Sequence, residues 1–238
     1  VCPPDMTIEC VSDMVEGIPT VTTSCDLGYN VFFAIPDLVG PTINCPGNEY
    51  FILYSVEDEC GRTASCQQKF TIANDPPSIV CPADETVECY DDIHVGIPTI
   101  MVSCDLDYNI TTSGPHLISG YDYCYDAMYE IEYTVTDVCG RSASCTQKFT
   151  IYNDPPTIVC PIDATVECVD DIMVGTPIIT VPCGYNSTQT SVGPTFVSGL
   201  EGCNDAVYKI VYSVTDECGR TASCTQMFTI ENDGPTIV

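Results

Sequence analysis

The sequence predicts an all-β protein, built as tandem β-sandwich modules in an extended rod. Three observations predict it. A hairpin motif recurs every 79 residues, as Cys60-Gly61-Arg62-Thr63-Ala64-Ser65-Cys66, Cys139-Gly140-Arg141-Ser142-Ala143-Ser144-Cys145 and Cys218-Gly219-Arg220-Thr221-Ala222-Ser223-Cys224. All 18 cysteines fall into three sets of six on that period. Apolar residues alternate with a period of two, and no stretch carries a helical period. A fixed repeat with an even cysteine set marks an array of disulfide-stapled modules.

The modules are 1–79, 80–158 and 159–238. Val1, Val80, Val159 and Val238 are equivalent positions, so the expectation is a window of a longer array or a processed product. A core this small is marginally stable alone. Disulfides, at about 2–4 kcal/mol each, supply what it lacks. They persist in oxidising compartments, which predicts an extracellular or cell-surface location. Structural zinc is disfavoured, because there is no Cys-x-x-Cys pair and the histidines are His94 and His116 alone.

Acidic residues number 34 against 6 basic ones, a formal charge of −28. That balance excludes nucleic acid as a partner and disfavours anionic membranes. No apolar run is long enough to span a bilayer.

Within a module the elements follow in order. A short strand is predicted from Thr7 to Cys10. Another runs from Gly17 to Thr23, where Pro19 points to an edge or a bulge. The segments Cys25 to Cys45, Cys104 to Cys124 and Cys183 to Cys203 vary most and read as loop-rich and exposed. Next comes a half-buried strand. Tyr50, Ile52, Tyr54 and Val56 recur as Tyr129, Ile131, Tyr133 and Val135, and again as Tyr208, Ile210, Tyr212 and Val214. The alternate positions change freely, so the constant set faces a core. Gly61 provides the positive φ of a hairpin turn. The last strand follows, with Cys66, Phe70 and Ile72 on one face. Junctions read Asn74-Asp75-Pro76-Pro77, Asn153-Asp154-Pro155-Pro156 and Asn232-Asp233-Gly234-Pro235. Such short, stiff linkers bring adjacent modules nearly into contact.

Four segments and their counterparts carry a family resemblance: Pro77-Ser78-Ile79-Val80-Cys81-Pro82, Thr86-Val87-Glu88-Cys89, Thr136-Asp137-Val138-Cys139-Gly140 and Ser144-Cys145-Thr146-Gln147. The whole module resembles the HYR-like, immunoglobulin-like repeats of extracellular proteins, abundant in bacterial surface adhesins. The resemblance implies immunoglobulin-like sandwiches used as stalk and spacer units. The family often has Asn after Cys-Gly, where Arg62, Arg141 and Arg220 stand here.

Six cysteines allow 15 pairings. Cys25–Cys45, Cys104–Cys124 and Cys183–Cys203 bracket the variable segments and are paired on that ground. The resemblance implies Cys2–Cys66, Cys81–Cys145 and Cys160–Cys224, leaving Cys10–Cys60, Cys89–Cys139 and Cys168–Cys218. First and last strands that run parallel would also suit Cys2–Cys60 with Cys10–Cys66. Since six cysteines pair evenly, bonds between modules are not required.

Three further kinds of site are candidates. No cofactor is required, but calcium could be taken by hard oxygen ligands near the junctions: Asp58, Asn74, Asp75, Asp84, Asp137, Asn153, Asp154 and Asp163. Ordinary turn chemistry accounts for the same residues. Asn109-Ile110-Thr111 and Asn186-Ser187-Thr188 are N-glycosylation sequons. The repeated arginine is either a bridge to an acidic linker or a solvated hairpin tip. There is no phosphate loop, nucleophile elbow or metal-binding His pair, and no catalyst shared by all copies, so an enzyme is not expected. The favoured function is a non-catalytic extracellular fibre or cell-surface stalk, whose partners are other copies of the same repeat. The alternative is an adhesin whose variable segments bind a glycan or protein ligand.

Overall fold

The computed structural model describes residues 1–35 and 42–234. Residues 36–41, inside the Cys25–Cys45 segment, lie outside that description, as do Pro235 and Val238. The protein is all-β. In the first module the strands are β1 (Met6–Ile8), β2 (Tyr29–Ala34), β3 (Glu49–Asp58) and β4 (Thr63–Ile72). The second repeat has β5 (Ser78–Val80), which begins two residues before the expected boundary at 80, then β6 (Glu85–Val87), β7 (Thr99–Met101), β8 (Tyr108–Ser119), β9 (Met128–Asp137) and β10 (Ser142–Ile151). The third has β11 (Thr157–Val159), which likewise begins two residues before the expected boundary at 159, then β12 (Ala164–Val166), β13 (Ile178–Thr180), β14 (Ser187–Ser198), β15 (Val207–Asp216) and β16 (Thr221–Ile230).

Each module contributes a four-stranded sheet: β1-β4-β3-β2, β6-β10-β9-β8 and β12-β16-β15-β14. The first strand of each sheet runs parallel to the last strand of its module, as in Ile8↔Ile72 and Val166↔Ile230. Two-stranded antiparallel sheets, β5-β7 and β11-β13, complete the second and third modules.

The chain forms two compact units. One comprises residues 1–83, 95–114 and 131–147, the other residues 84–94, 115–130 and 148–238. The core of the first contains Ile8, Val11, Ile52, Tyr54, Phe70 and Ile72. In the second unit Tyr208, Ile210, Tyr212, Phe228 and Ile230 are buried, and Ile158 of the two-stranded sheet packs against them. That contact makes a sandwich. The alternation predicted for β15 is complete, because Tyr208, Ile210, Tyr212 and Val214 are all buried while their neighbours are not.

Three features differ from the sequence reading. The variable segments of the second and third modules are long edge strands, β8 and β14, not loops. Both are rich in Ser and Thr and almost wholly exposed. With little of either face buried, packing does not constrain their side chains, which explains their variability. The first strand is also shorter than predicted, and in the first module Gly17 to Thr23 forms no strand.

A buried polar relay recurs in every module. The Tyr54 hydroxyl accepts the Gly17 N–H and donates to Gln68 Oε1, and Gln68 Nε2 donates to the Pro4 carbonyl. Tyr133 with Gln147 and Tyr212 with Gln226 repeat it. The relay pins the first loop to the last strand. Glycine is required there because a Cβ on Gly96 would lie 2.7 Å from Pro82 Cγ.

Candidate functional site: the junctions between modules

Strand register decides which cysteines can meet. A ten-residue strand such as β3 spans about 33 Å. Tyr29↔Asp58 places Cys25 beside the β3–β4 hairpin tip, at the same end as Cys60. Glu49↔Thr71 and Ile8↔Ile72 place Cys45 and Cys10 at the opposite end. A disulfide requires Cα atoms about 4.4–6.8 Å apart. No bond can therefore close along the length of one module.

The structure pairs them accordingly. Cys2–Cys66, Cys81–Cys145 and Cys160–Cys224 lie within modules. The other four bonds lie between modules: Cys10–Cys104, Cys45–Cys139, Cys89–Cys183 and Cys124–Cys218. Their Cα–Cα distances are 5.5, 5.5, 5.6 and 5.6 Å in that order. These bonds correct six of the sequence-based pairings. Cys10–Cys60, Cys89–Cys139 and Cys168–Cys218 do not form, because each would join opposite ends of β4 or its counterpart. Cys25–Cys45, Cys104–Cys124 and Cys183–Cys203 do not form, because each pair flanks a strand at opposite ends. An even count per module does not constrain the partner when the same set recurs next door. Cys25, Cys60, Cys168 and Cys203 are free and exposed.

Local backbone geometry presents each sulfur. Cys104 and Cys183 sit in 3-10 turns with φ of 56° and 59°. This left-handed conformation is uncommon for a residue with a side chain. Their partners Cys10 and Cys89 begin 3-10 turns closed by an acid three residues on. The Cys10 N–H donates to Asp13 Oδ2 (2.9 Å) and the Cys89 N–H to Asp92 Oδ2 (3.0 Å). Asp92 and its counterpart Asp171, each half of an Asp-Asp pair, thus have a structural role.

The repeated arginine adds a third link to each junction. Asp137 Oδ1 accepts the N–H groups of Cys139 and Arg141, which closes the hairpin tip, while Asp137 Oδ2 accepts Arg141 Nε. Arg141 Nη1 then reaches across the junction to the Asn74 carbonyl at 2.9 Å. Arg220 repeats this with Asp216, and its Nη1 donates to both the Asn153 carbonyl and Asn153 Oδ1. The arginine is thus a bridge, but its acid lies in its own hairpin and its cross-junction acceptor is a backbone oxygen. Arg62 makes the Asp58 contacts alone among the described residues, and its side chain is 61% exposed against 22% for Arg141 and Arg220. Hydrogen bonds from the Arg62 backbone and then its guanidinium hold the Asp58 carboxyl below the usual range.

Tyrosines line the second junction. Tyr90 and Tyr123 stack edge to face at 4.9 Å, and Tyr123 lies 6.2 Å from Tyr185 of the next module. The Tyr129 hydroxyl donates to Asp122 and accepts the Tyr123 N–H, and burial pushes its pKa up. Neither this tyrosine set nor the glutamine relay was singled out in the sequence. The signal for the relay was present, since Gln68, Gln147 and Gln226 recur on the inward face of the last strand.

Six of the eight candidate calcium ligands have other partners. Asp58 and Asp137 hold arginines. Asp84 accepts the Lys148 N–H and Asp163 the Met227 N–H. Asn74 Nδ2 donates to the carbonyls of Glu9 and Asn44, and Asn153 is buried. Asp75 and Asp154 are exposed. Among the described residues, no group of three or more His, Cys, Asp or Glu side chains is gathered for a metal ion. Asn109 and Asn186 are exposed, the first within β8 and the second just before β14. Among the described residues no helix is long and apolar enough to cross a membrane.

No protein-family model matches the sequence, including any for the HYR-like resemblance, and no curated protein is significantly similar to it. Solved structures that align with this chain include cadherin ectodomains. Domains EC1-4 of Drosophila N-cadherin align over 96% of this chain and 73% of that one, at 14% identity and a TM-score of 0.33. Extracellular domains 1-4 of protocadherin gamma B7 align over 96% and 75%, at 12% identity and 0.36. The protocadherin gamma B4 extracellular domain aligns over 97% and 48%, at 12% and 0.36. The fold of this chain rests on its own strand order and registers.

Proposed function

We propose that this protein is a non-catalytic structural element outside the cell, a fibre or surface stalk in which β-sandwich modules are locked in series. One observation carries the reading. Neighbouring modules are joined by the polypeptide, by two disulfides and by an arginine, rather than by a flexible linker. A joint with three covalent connections resists bending, twisting and separation, whereas a ligand-binding array needs no such joint. Seven disulfides among the described residues favour an oxidising, extracellular setting. The high negative charge keeps copies soluble and limits lateral aggregation. The exposed sequons Asn109 and Asn186 would present glycans on or beside edge strands. Covering those unpaired edges would also block sheet-to-sheet aggregation. Electron microscopy of the native material tests the reading. Linear filaments or stalks with a regular axial repeat are expected. Globular, monodisperse particles that bind a glycan array would overturn it in favour of the adhesin.

A further inference from the structure

We infer that the four free cysteines are the two halves of one more junction, completed by an equivalent module docked head to tail, as a second copy of this chain would supply. Cys168 would bond to Cys25 of the second copy, and Cys203 to its Cys60. This rests on the structural reading above and deepens it by naming the partner and the bonds.

The argument is one of equivalence. Both internal junctions use one rule: the second cysteine of a module bonds to the third of the next, and the fourth bonds to the fifth of the next. Cys10–Cys104 and Cys89–Cys183 follow the first half of the rule. Cys45–Cys139 and Cys124–Cys218 follow the second. Cys168 and Cys203 are the second and fourth cysteines of the third module. Cys25 and Cys60 are the third and fifth of the first module. The free set is therefore one complete complementary pair of ends.

Each free cysteine already has the backbone of its bonded counterparts. Cys25 has φ 62° and ψ 28°, against 56° and 30° at Cys104. Cys168 has φ −131° and ψ 158°, against −124° and 154° at Cys10, and its N–H donates to Asp171 Oδ2 at 3.0 Å. The Cys60 N–H donates to Asp58 Oδ1 at 3.0 Å, as Cys139 does to Asp137. The Cys203 N–H donates to the Leu200 carbonyl at 2.9 Å, as Cys124 does to Tyr121 at 3.0 Å. Four exposed cysteines that share these backbone features with the bonded ones are pre-organised for pairing. A second observation is independent of sulfur. Arg62 is clamped by Asp58 like its counterparts, but the junction acceptor its guanidinium would take, the counterpart of the Asn74 and Asn153 carbonyls, is at Asn232.

The chemistry is thiol–disulfide exchange with a low-molecular-weight disulfide as oxidant. One thiolate attacks the oxidant and releases one small thiol. The partner thiolate then attacks the mixed disulfide and releases the second. Each protein disulfide thus transfers two electrons and two protons to one oxidant molecule, and each junction consumes two.

The test uses the purified chain in a glutathione redox buffer with salt to screen its charge. Non-reducing electrophoresis should show a ladder in steps of 25.8 kDa that collapses to one band on reduction. C168S/C203S alone and C25S/C60S alone should each stay monomeric. Mixed, they should give a dimer and nothing longer, with Cys168–Cys25 and Cys203–Cys60 on peptide mapping. Closure of Cys25 on Cys60, or of Cys168 on Cys203, within one monomer would overturn the inference. So would a ladder from C168S/C203S alone. In native material, a large species that reduction does not shorten would mean the ends are met by further modules of one longer polypeptide, overturning the second copy as partner. That outcome would leave the stalk reading intact, whereas globular native particles would remove the stalk reading and not the pairing rule.

Discussion

Removing one bond of the first junction, with C10S/C104S, should destabilise the protein heavily. The bond closes a span of 94 residues. Taken alone, a loop of that length corresponds to about 4.7 kcal/mol of denatured-state entropy. Cys2–Cys66 shortens the real loop, because the remaining path runs from Cys10 back to Cys2, across to Cys66 and on to Cys104. That path has about 46 residues, and the same relation then gives about 4 kcal/mol. The melting temperature should fall by about 8–16 °C for a chain of this size. Calorimetry on the monomer fraction measures the shift, and alkylation in denaturant counts thiols. Four alkylated cysteines are expected before and after the substitution. If bonds closed within modules instead, the wild type would show none, and the variant would show two, from Cys60 and Cys124. That count, or a melting shift near zero, would refute the junction pairing.

Other substitutions separate the remaining contributions. R141A should cost about 2–4 kcal/mol in urea denaturation, since Asp137 is nearly fully buried and loses its counter-ion. R62A should cost clearly less, because Arg62 is exposed and, among the described residues, meets no neighbouring module. Y133F removes the hydroxyl that satisfies the Gly96 N–H and Gln147, at about 1–3 kcal/mol. The folded pKa of Asp58 is depressed, so its contribution is full above about pH 4 and lost as the pH falls through the lower folded value. D58N should therefore flatten acid melting of the first hairpin, read by hydrogen exchange at Cys60 and Arg62. A D58N chain with an unchanged acid profile would sink that assignment.

Much of the architecture was legible in the sequence because it is local. The alternation of Tyr208, Ile210, Tyr212 and Val214 against free positions identifies a strand and its buried face. The fixed spacing identifies the repeat, and Gly61 the turn. The edge strands β8 and β14 were not legible, because a strand exposed on nearly all sides carries no burial pattern. The Gln68–Tyr54 relay could have been read from its repetition, but its purpose appears only when the Pro4 carbonyl is brought to the same place.

The sequence by itself determined that the cysteines recur in sets of six and lie in strands and turns of a sandwich. Only the tertiary structure decided their partners. Sequence separation does not reveal that Cys10 and Cys60 lie at opposite ends of a long sheet while Cys10 and Cys104, 94 residues apart, lie side by side. The physical reason is the rigidity of a ten-residue strand, which holds the two ends of each module about 33 Å apart. Each end can then meet only the end of a neighbour.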